Sequence, residues 1–220
     1  MMFSLESFHK EYETDTAEVV VNGEKFKLLT PKYLFGFINT NDVFHDFPLW
    51  AKIWQASWVL ADHLAQRSVE PDKEYLEIGA GIGFVSIVGT TFGHRITLTE
   101  HNPDALQFAC ANAHINNCSH LPVFDLDWNQ LNLKGQFDYI VGSEITYQRE
   151  ELKSLLELFK TYLKPTGKII LAAEMRKTSA ELYDKFRTTF NINVHKKILR
   201  SNSKEKRVYL FYMTFKRASK

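Results

Sequence analysis

The chain is short of several things, and each shortage removes a class of protein. It has only two cysteines, Cys110 and Cys118, in 220 residues. Two thiols in or near one helix build neither a disulfide framework nor a zinc site; reduced thiols of this kind fit a cytoplasmic protein. No apolar run approaches the ~20 residues that cross a bilayer, so no membrane association is expected. The opening MMFSLESFHKEYETD carries early acids and no small-residue cleavage site, unlike a secretory leader. Neither sign of charge dominates: 27 Lys and Arg against 26 Asp and Glu leave a net +1, which argues against a field built to hold nucleic acid. The basic runs Lys196-Lys197 and Lys204-Glu-Lys206-Arg207 read as solvated turns. There is no internal repeat and no low-complexity linker. Histidine, cysteine and carboxylate never cluster at ligand spacing, so no metal is expected.

What the chain does have is enough apolar residue, 45%, to bury the core of one domain. Its most informative stretch is LEIGAGIGF, residues 76–84. An apolar strand runs into Gly79, Gly81 and Gly83, and a helical pattern follows. Glycines spaced by two let the backbone turn sharply and remove every Cβ that would hold a ligand away. The helix that follows points free N–H groups at the same place. This is a nucleotide-type site at the end of the first strand of an α/β sheet. A dinucleotide fingerprint would put its third glycine where Phe84 stands, so the spacing disfavours a nicotinamide dehydrogenase. An acid, Glu77, precedes the first glycine, and a second, Glu100, ends the strand-like Arg95-Ile-Thr-Leu-Thr99. An acid at the end of a second strand is suited to gripping ribose hydroxyls. A side chain at position 81 is expected to fill space a ligand needs.

The rest of the chain alternates. Near the start, AEVVVNGEKFKLL predicts a β-hairpin about Asn22-Gly23, followed by an irregular, aromatic stretch over 31–47. From Pro48, Ile53, Ser57, Leu60, Ala61 and Leu64 fall at helical spacing, with proline near the helix start. Strands are expected over 74–78, 95–99, 121–124, 137–142 and 168–173, and helices over 82–92, 103–115, 149–163 and 178–189. Two further strands, 191–199 and 207–215, come in succession and suggest an antiparallel pair at the sheet edge. The division expected is a hairpin and extension over 1–47 and a single globular unit over 48–220.

The E-x-G-x-G-x-G loop with its downstream acid resembles the cofactor loop of class I S-adenosylmethionine (SAM) methyltransferases, whose sheet also ends on an inserted antiparallel strand. Three further pieces narrow the likeness: Ile53-Trp54-Gln-Ala-Ser-Trp-Val-Leu60, Asp125-Leu-Asp127-Trp128 and Ser143-Glu144-Ile-Thr-Tyr147. Together they resemble methyltransferase family 16, seven-strand protein-lysine methyltransferases with an Asp/Glu-x-x-Tyr/Phe motif. The resemblance runs over roughly residues 18–200.

It implies an α/β, Rossmann-like fold. The sheet has seven mostly parallel strands with the last antiparallel, helices on both faces, and an N-terminal β-hairpin. It implies SAM as cofactor, held by Trp54, Glu77, Gly79, Ala80, Gly81, Gly83, Glu100, Asp127, Trp128 and Ser143. Trp54 would border the methionine end, with Asp127 and Trp128 beside the adenine. Glu144 and Tyr147 would be the catalytic pair, Glu144 standing where the family more often has Asp. Trp50 and Trp58 read as core, Asp125 is left out of the site, and Asp138 reads as structural at a strand start. Glu174, Met175 and Arg176 follow the fifth strand at the same edge. The acceptor implied is a protein lysine, and the chain is expected to act as a monomer. A small-molecule amine, a histidine acceptor and a non-catalytic scaffold of the same fold stay open as alternatives.

Overall fold

The computed structural model describes residues 3–38, 47–145, 151–174, 183–201 and 204–216. A short helix, α1 (Leu5–Glu11), leads into the hairpin β1 (Thr14–Val21) and β2 (Glu24–Pro31). Asn22 and Gly23 at its turn both have positive φ, 47° and 88°, which the right-handed twist of a tight hairpin requires. Then come α2 (Gln55–Ala65), β3 (Glu74–Glu77), α3 (Phe84–Thr91), β4 (Arg95–Glu100), α4 (Pro103–Ile115), β5 (Val123–Asp125) and β6 (Phe137–Ser143). The described elements continue with α5 (Glu151–Tyr162), β7 (Leu163–Glu174), β8 (Phe190–Ser201) and β9 (Lys204–Phe215).

The sheet has the order β5-β4-β3-β6-β7-β9-β8. β5, β4, β3, β6 and β7 run parallel to one another; β9 lies between β7 and β8, antiparallel to both. Strand order reverses at β3, so a crevice opens beyond the carboxyl ends of β3, β4 and β6. The central strands read as continuous apolar runs because both faces are covered. Alternate side chains serve different layers: Tyr75, Tyr139, Val141, Ile170 and Ala172 pack under α2, α3 and α4, while Leu76, Ile140, Ile169 and Leu171 pack under α5. Each fully buried Leu or Ile there contributes about 1.5–3 kcal/mol.

Three expected element bounds need correction. The apolar spacing predicts a helix from Pro48, but residues 49–51 form a 3-10 turn and α2 begins only at Gln55. Two contacts hold 49–54 out of the helix: the Trp54 indole N–H donates to the Leu49 carbonyl (2.9 Å), and the Trp50 carbonyl lies against the glycine loop. The strand expected over 121–124 starts at Val123, since Pro122 has no N–H for a ladder. Of the helix expected over 178–189, the described part is helical over 183–186.

The N-terminal hairpin is fixed to the body by buried polar bonds. The Asn112 side chain, fully buried on α4, accepts from the Leu29 N–H (2.6 Å) and donates to the Leu29 and Ile82 carbonyls (3.1 and 3.0 Å). It therefore ties β2 to the end of the glycine loop. At the opposite end of the central strands, Asp138 at the start of β6 binds Lys164 (2.7 Å), Lys73 (2.9 Å) and the Glu74 N–H (3.1 Å). Burial opposes its charge, but the two ammonium groups and the N–H outweigh it and hold the carboxyl down at about 2. The structural reading of Asp138 rests on these bonds.

Candidate active site

The chain leaves β3 through Gly79, Gly81 and Gly83, which have φ of 60°, 54° and 85°, a conformation that costs other residues about 1–2 kcal/mol. The turn is pinned from β4: the Ala80 N–H donates to the Thr99 carbonyl (3.1 Å) and the Gly81 N–H to Glu100 Oε2 (2.8 Å). A Cβ at Gly81 would stand 2.8 Å from the Trp50 carbonyl oxygen. This glycine thus admits the 49–51 turn, a different reason from the ligand space expected. A Cβ at Gly83 would press on Leu98 and Ala109, so the third glycine lets α3 start close to β4 and α4.

A cavity of about 310 Å³ lies over this loop. Glu100 stands on its wall with a carboxylate that accepts three backbone N–H groups, from Gly81, His101 (2.8 Å) and Asn102 (3.0 Å). Glu77 is elsewhere. It is 1% exposed, outside the cavity lining, and accepts a short bond from the Ser86 hydroxyl. Burial raises its pKa to about 8, against the pull of the Ser86 hydroxyl and N–H. Asp127 and Trp128 are both on the wall. Asp127 Oδ1 accepts from the Asn129 N–H (2.8 Å), and the Trp128 ring edge comes within 3.3 Å of where a Cβ on Gly79 would be. Asp125 instead faces His101, with Oδ1 2.9 Å from Nδ1, and that bond raises the histidine's pKa.

Across the cavity, β6 delivers Ser143 and Glu144. Glu144 is 7% exposed and has φ of +51°, a strained conformation of the kind that clusters at functional sites. Its N–H donates to the Ala172 carbonyl (2.9 Å), and Oε1 accepts from the Glu174 N–H (2.6 Å). The carboxylate is thereby fixed between the ends of β6 and β7. Trp54 closes the cavity as the N-cap residue of α2, its ring held by the bond to Leu49. Tyr147, Met175 and Arg176 lie outside the described residues.

The model of the lysine methyltransferase family matches residues 48–189 of the chain. The chain belongs to this family. Among curated members, the N-lysine methyltransferase METTL21A of Danio rerio is 31% identical over 134 residues, 57% of this chain and 61% of that protein. The protein-lysine methyltransferase METTL21E of Mus musculus is 31% identical over 156 residues, 64% of each chain. The chain thus spans somewhat under two thirds of these relatives' lengths. Among solved structures, the glycopeptide N-methyltransferase MtfA complexed with SAM is similar in fold, with a TM-score of 0.59 over 71% of this chain and 92% of that one, at 15% identity.

Of the residues that the family resemblance singled out, the structure brings Trp54, Gly79, Ala80, Gly81, Glu100, Asp127, Trp128, Ser143 and Glu144 to one cavity and leaves Glu77 and Gly83 behind its wall. Sequence reading missed Lys52 and Ser57 beside Trp54, and Asn129 and Ser154, whose side chains bond each other at 2.7 Å. Trp50, read as core, packs on Phe37 and Phe108 and also lines the cavity. Helical spacing over 48–54 gives no sign of this double role, which depends on the 49–51 turn.

Proposed function

We propose that the chain is a SAM-dependent methyltransferase that N-methylates a lysine side chain of a protein. The observation that carries this reading is the placing of Glu100, Asp127 with Trp128, and Glu144 around one cavity over the Cβ-free loop. The cavity fits the cofactor's chemistry: a carboxylate for vicinal hydroxyls, a carboxylate and an indole for an amino-substituted ring, and indole for a cationic end. Bound SAM supplies an activated methyl carbon, whose transfer is an in-line displacement. The protein's part is to position and desolvate.

Glu100 accepts from the ribose hydroxyls, with three N–H groups holding its oxygens in place. Asp127 accepts from the exocyclic amine and Trp128 covers the ring. Ser143 and the loop at Gly79–Gly81 hold the methionine end, and Trp54 excludes water beside it. Glu77 and Gly83 act on the cofactor only through the loop and the helix they fix. The acceptor lysine must lose a proton, which its reference pKa of ~10.4 opposes; burial beside indole lowers that barrier. Glu144 orients the amine and spreads the charge that develops on nitrogen. Tyr147, three residues on, completes the pair. Protein as the acceptor is supported by the lysine specificity in the relatives' names. We further place the chain in the cytoplasm as a monomer, from its thiols and balanced charge. Calorimetry with SAM, S-adenosylhomocysteine and NAD tests the cofactor. Micromolar binding of the first two is expected, about −8 kcal/mol; heat with NAD alone would overturn the reading.

A further inference from the structure

Lys52 stands in the cavity wall with Trp54 and Glu144. Its ammonium lies over the Trp54 indole, 4.7 Å from the ring centroid. The ring cannot turn away, because its N–H is bonded to the Leu49 carbonyl. Lys52 follows the 49–51 turn in extended backbone, φ −111° and ψ 138°, so its stem is not committed to a helix face. Among the described residues it forms no salt bridge, a state it shares with several surface lysines; the seat on the indole is what sets it apart. A lysine ammonium on the face of an indole, inside a cavity that also holds a fixed carboxylate, has the contacts an incoming acceptor lysine would make.

We propose that Lys52 is itself a methyl acceptor, modified by its own chain; this rests on the SAM-dependent reading above. The ammonium gives one proton to solvent. The nitrogen lone pair then forms the N–C bond as the C–S bond breaks, and that electron pair stays on sulfur, leaving neutral S-adenosylhomocysteine and a methylammonium on Lys52. The methylated side chain keeps its charge and its seat on the indole.

Two measurements on the full chain test this. In the first, purified protein is incubated with methyl-deuterated SAM and its peptides are read by mass spectrometry at several protein concentrations. Label on Lys52 at a rate independent of concentration is expected, with none at that position in Lys52→Arg. The second needs no transfer. SAM carries a sulfonium charge that S-adenosylhomocysteine lacks, so an ammonium beside the methyl should weaken SAM selectively. Lys52→Met should raise the affinity for SAM relative to S-adenosylhomocysteine about threefold, the scale of two unit charges several ångströms apart in a wet site. An unlabelled Lys52 in protein that binds SAM, a labelling rate that rises with protein concentration, or an unchanged affinity ratio would each overturn the proposal and leave the cofactor assignment standing. Absence of SAM binding in the parent would overturn both.

Discussion

Replacing Gly81 by alanine should damage the site through the backbone of its neighbour, before any ligand is involved. The new Cβ would stand 2.8 Å from the Trp50 carbonyl oxygen and 3.4 Å from its Cα, at a φ of +54°. Neither atom is the flexible end of a side chain, so the 49–51 turn must move. The left-handed conformation costs alanine about 1–2 kcal/mol and the overpacking about 1–3, or ~2–5 in all. For a chain of this size that lowers Tm by roughly 4–20 °C. Two other glycines separate the contributions. Gly135 has φ of +88° with nothing within 4 Å of a Cβ, so Gly135→Ala should show the conformational cost alone, about 1–2 kcal/mol. At Gly36, where φ is not positive and the space is open, alanine should change stability by no more than ~0.5 kcal/mol. Thermal unfolding of the three variants reads the gradation, and calorimetry with SAM should show the greatest loss in Gly81→Ala. Equal Tm for Gly81→Ala and Gly36→Ala would refute the reasoning, because the contact with Trp50 would then carry no cost.

Other outcomes follow from the same geometry. Glu100→Ala removes the acceptor of three N–H groups and of the proposed ribose bonds; one charge-assisted bond of ~1.5–3 kcal/mol means SAM binding weaker by about 10–100-fold, and parental affinity in a titration would remove Glu100 from the cofactor site. Glu144→Gln keeps an oxygen for the Glu174 N–H but loses the charge, so single-turnover transfer should fall ~10²–10³-fold with SAM affinity within a few-fold; complete loss of SAM binding would move Glu144 into the cofactor site. Glu77, raised to about 8 by burial, binds a proton in the folded state that the unfolded chain releases above its reference value of ~4.3. Its contribution to stability is therefore lost as pH rises from that value toward 8. Denaturant titrations across that window should show Glu77→Gln with a flatter pH dependence than the parent; identical slopes would mean the buried carboxyl is ionised throughout.

The glycine loop, the acid at the end of β4 and the strand pair at the sheet edge were legible in the sequence because each rests on a local rule: left-handed turns favour glycine, and two strands joined without a crossover run antiparallel. The same rules could not separate the roles of the acids. Glu77 and Glu100 both look available in the sequence; only the pleat of β3, which turns Glu77 onto Ser86 in the interior, sends one inward and leaves the other on the cavity. The helix over-read at 48–54 failed for a related reason. Its apolar spacing is helical, but the Trp54 indole bonds the Leu49 carbonyl five residues back, and the Trp50 carbonyl is seated against Gly81 in a tertiary contact. α1 went unread because seven residues carry too little periodicity; it is held by Phe8 against Phe108 and by Tyr12 on Asp104 at 2.7 Å.

The central claim is methyl transfer from SAM to protein lysine. The most direct measurement incubates the chain with methyl-tritiated SAM and cell-lysate protein, removes the chain itself, hydrolyses the remaining labelled protein to amino acids and separates them. Radioactivity in methylated lysine, lost in Glu144→Gln, is the result this account predicts. Radioactivity confined to methylhistidine, methylarginine or a small amine, or none at all while SAM is bound, would contradict it.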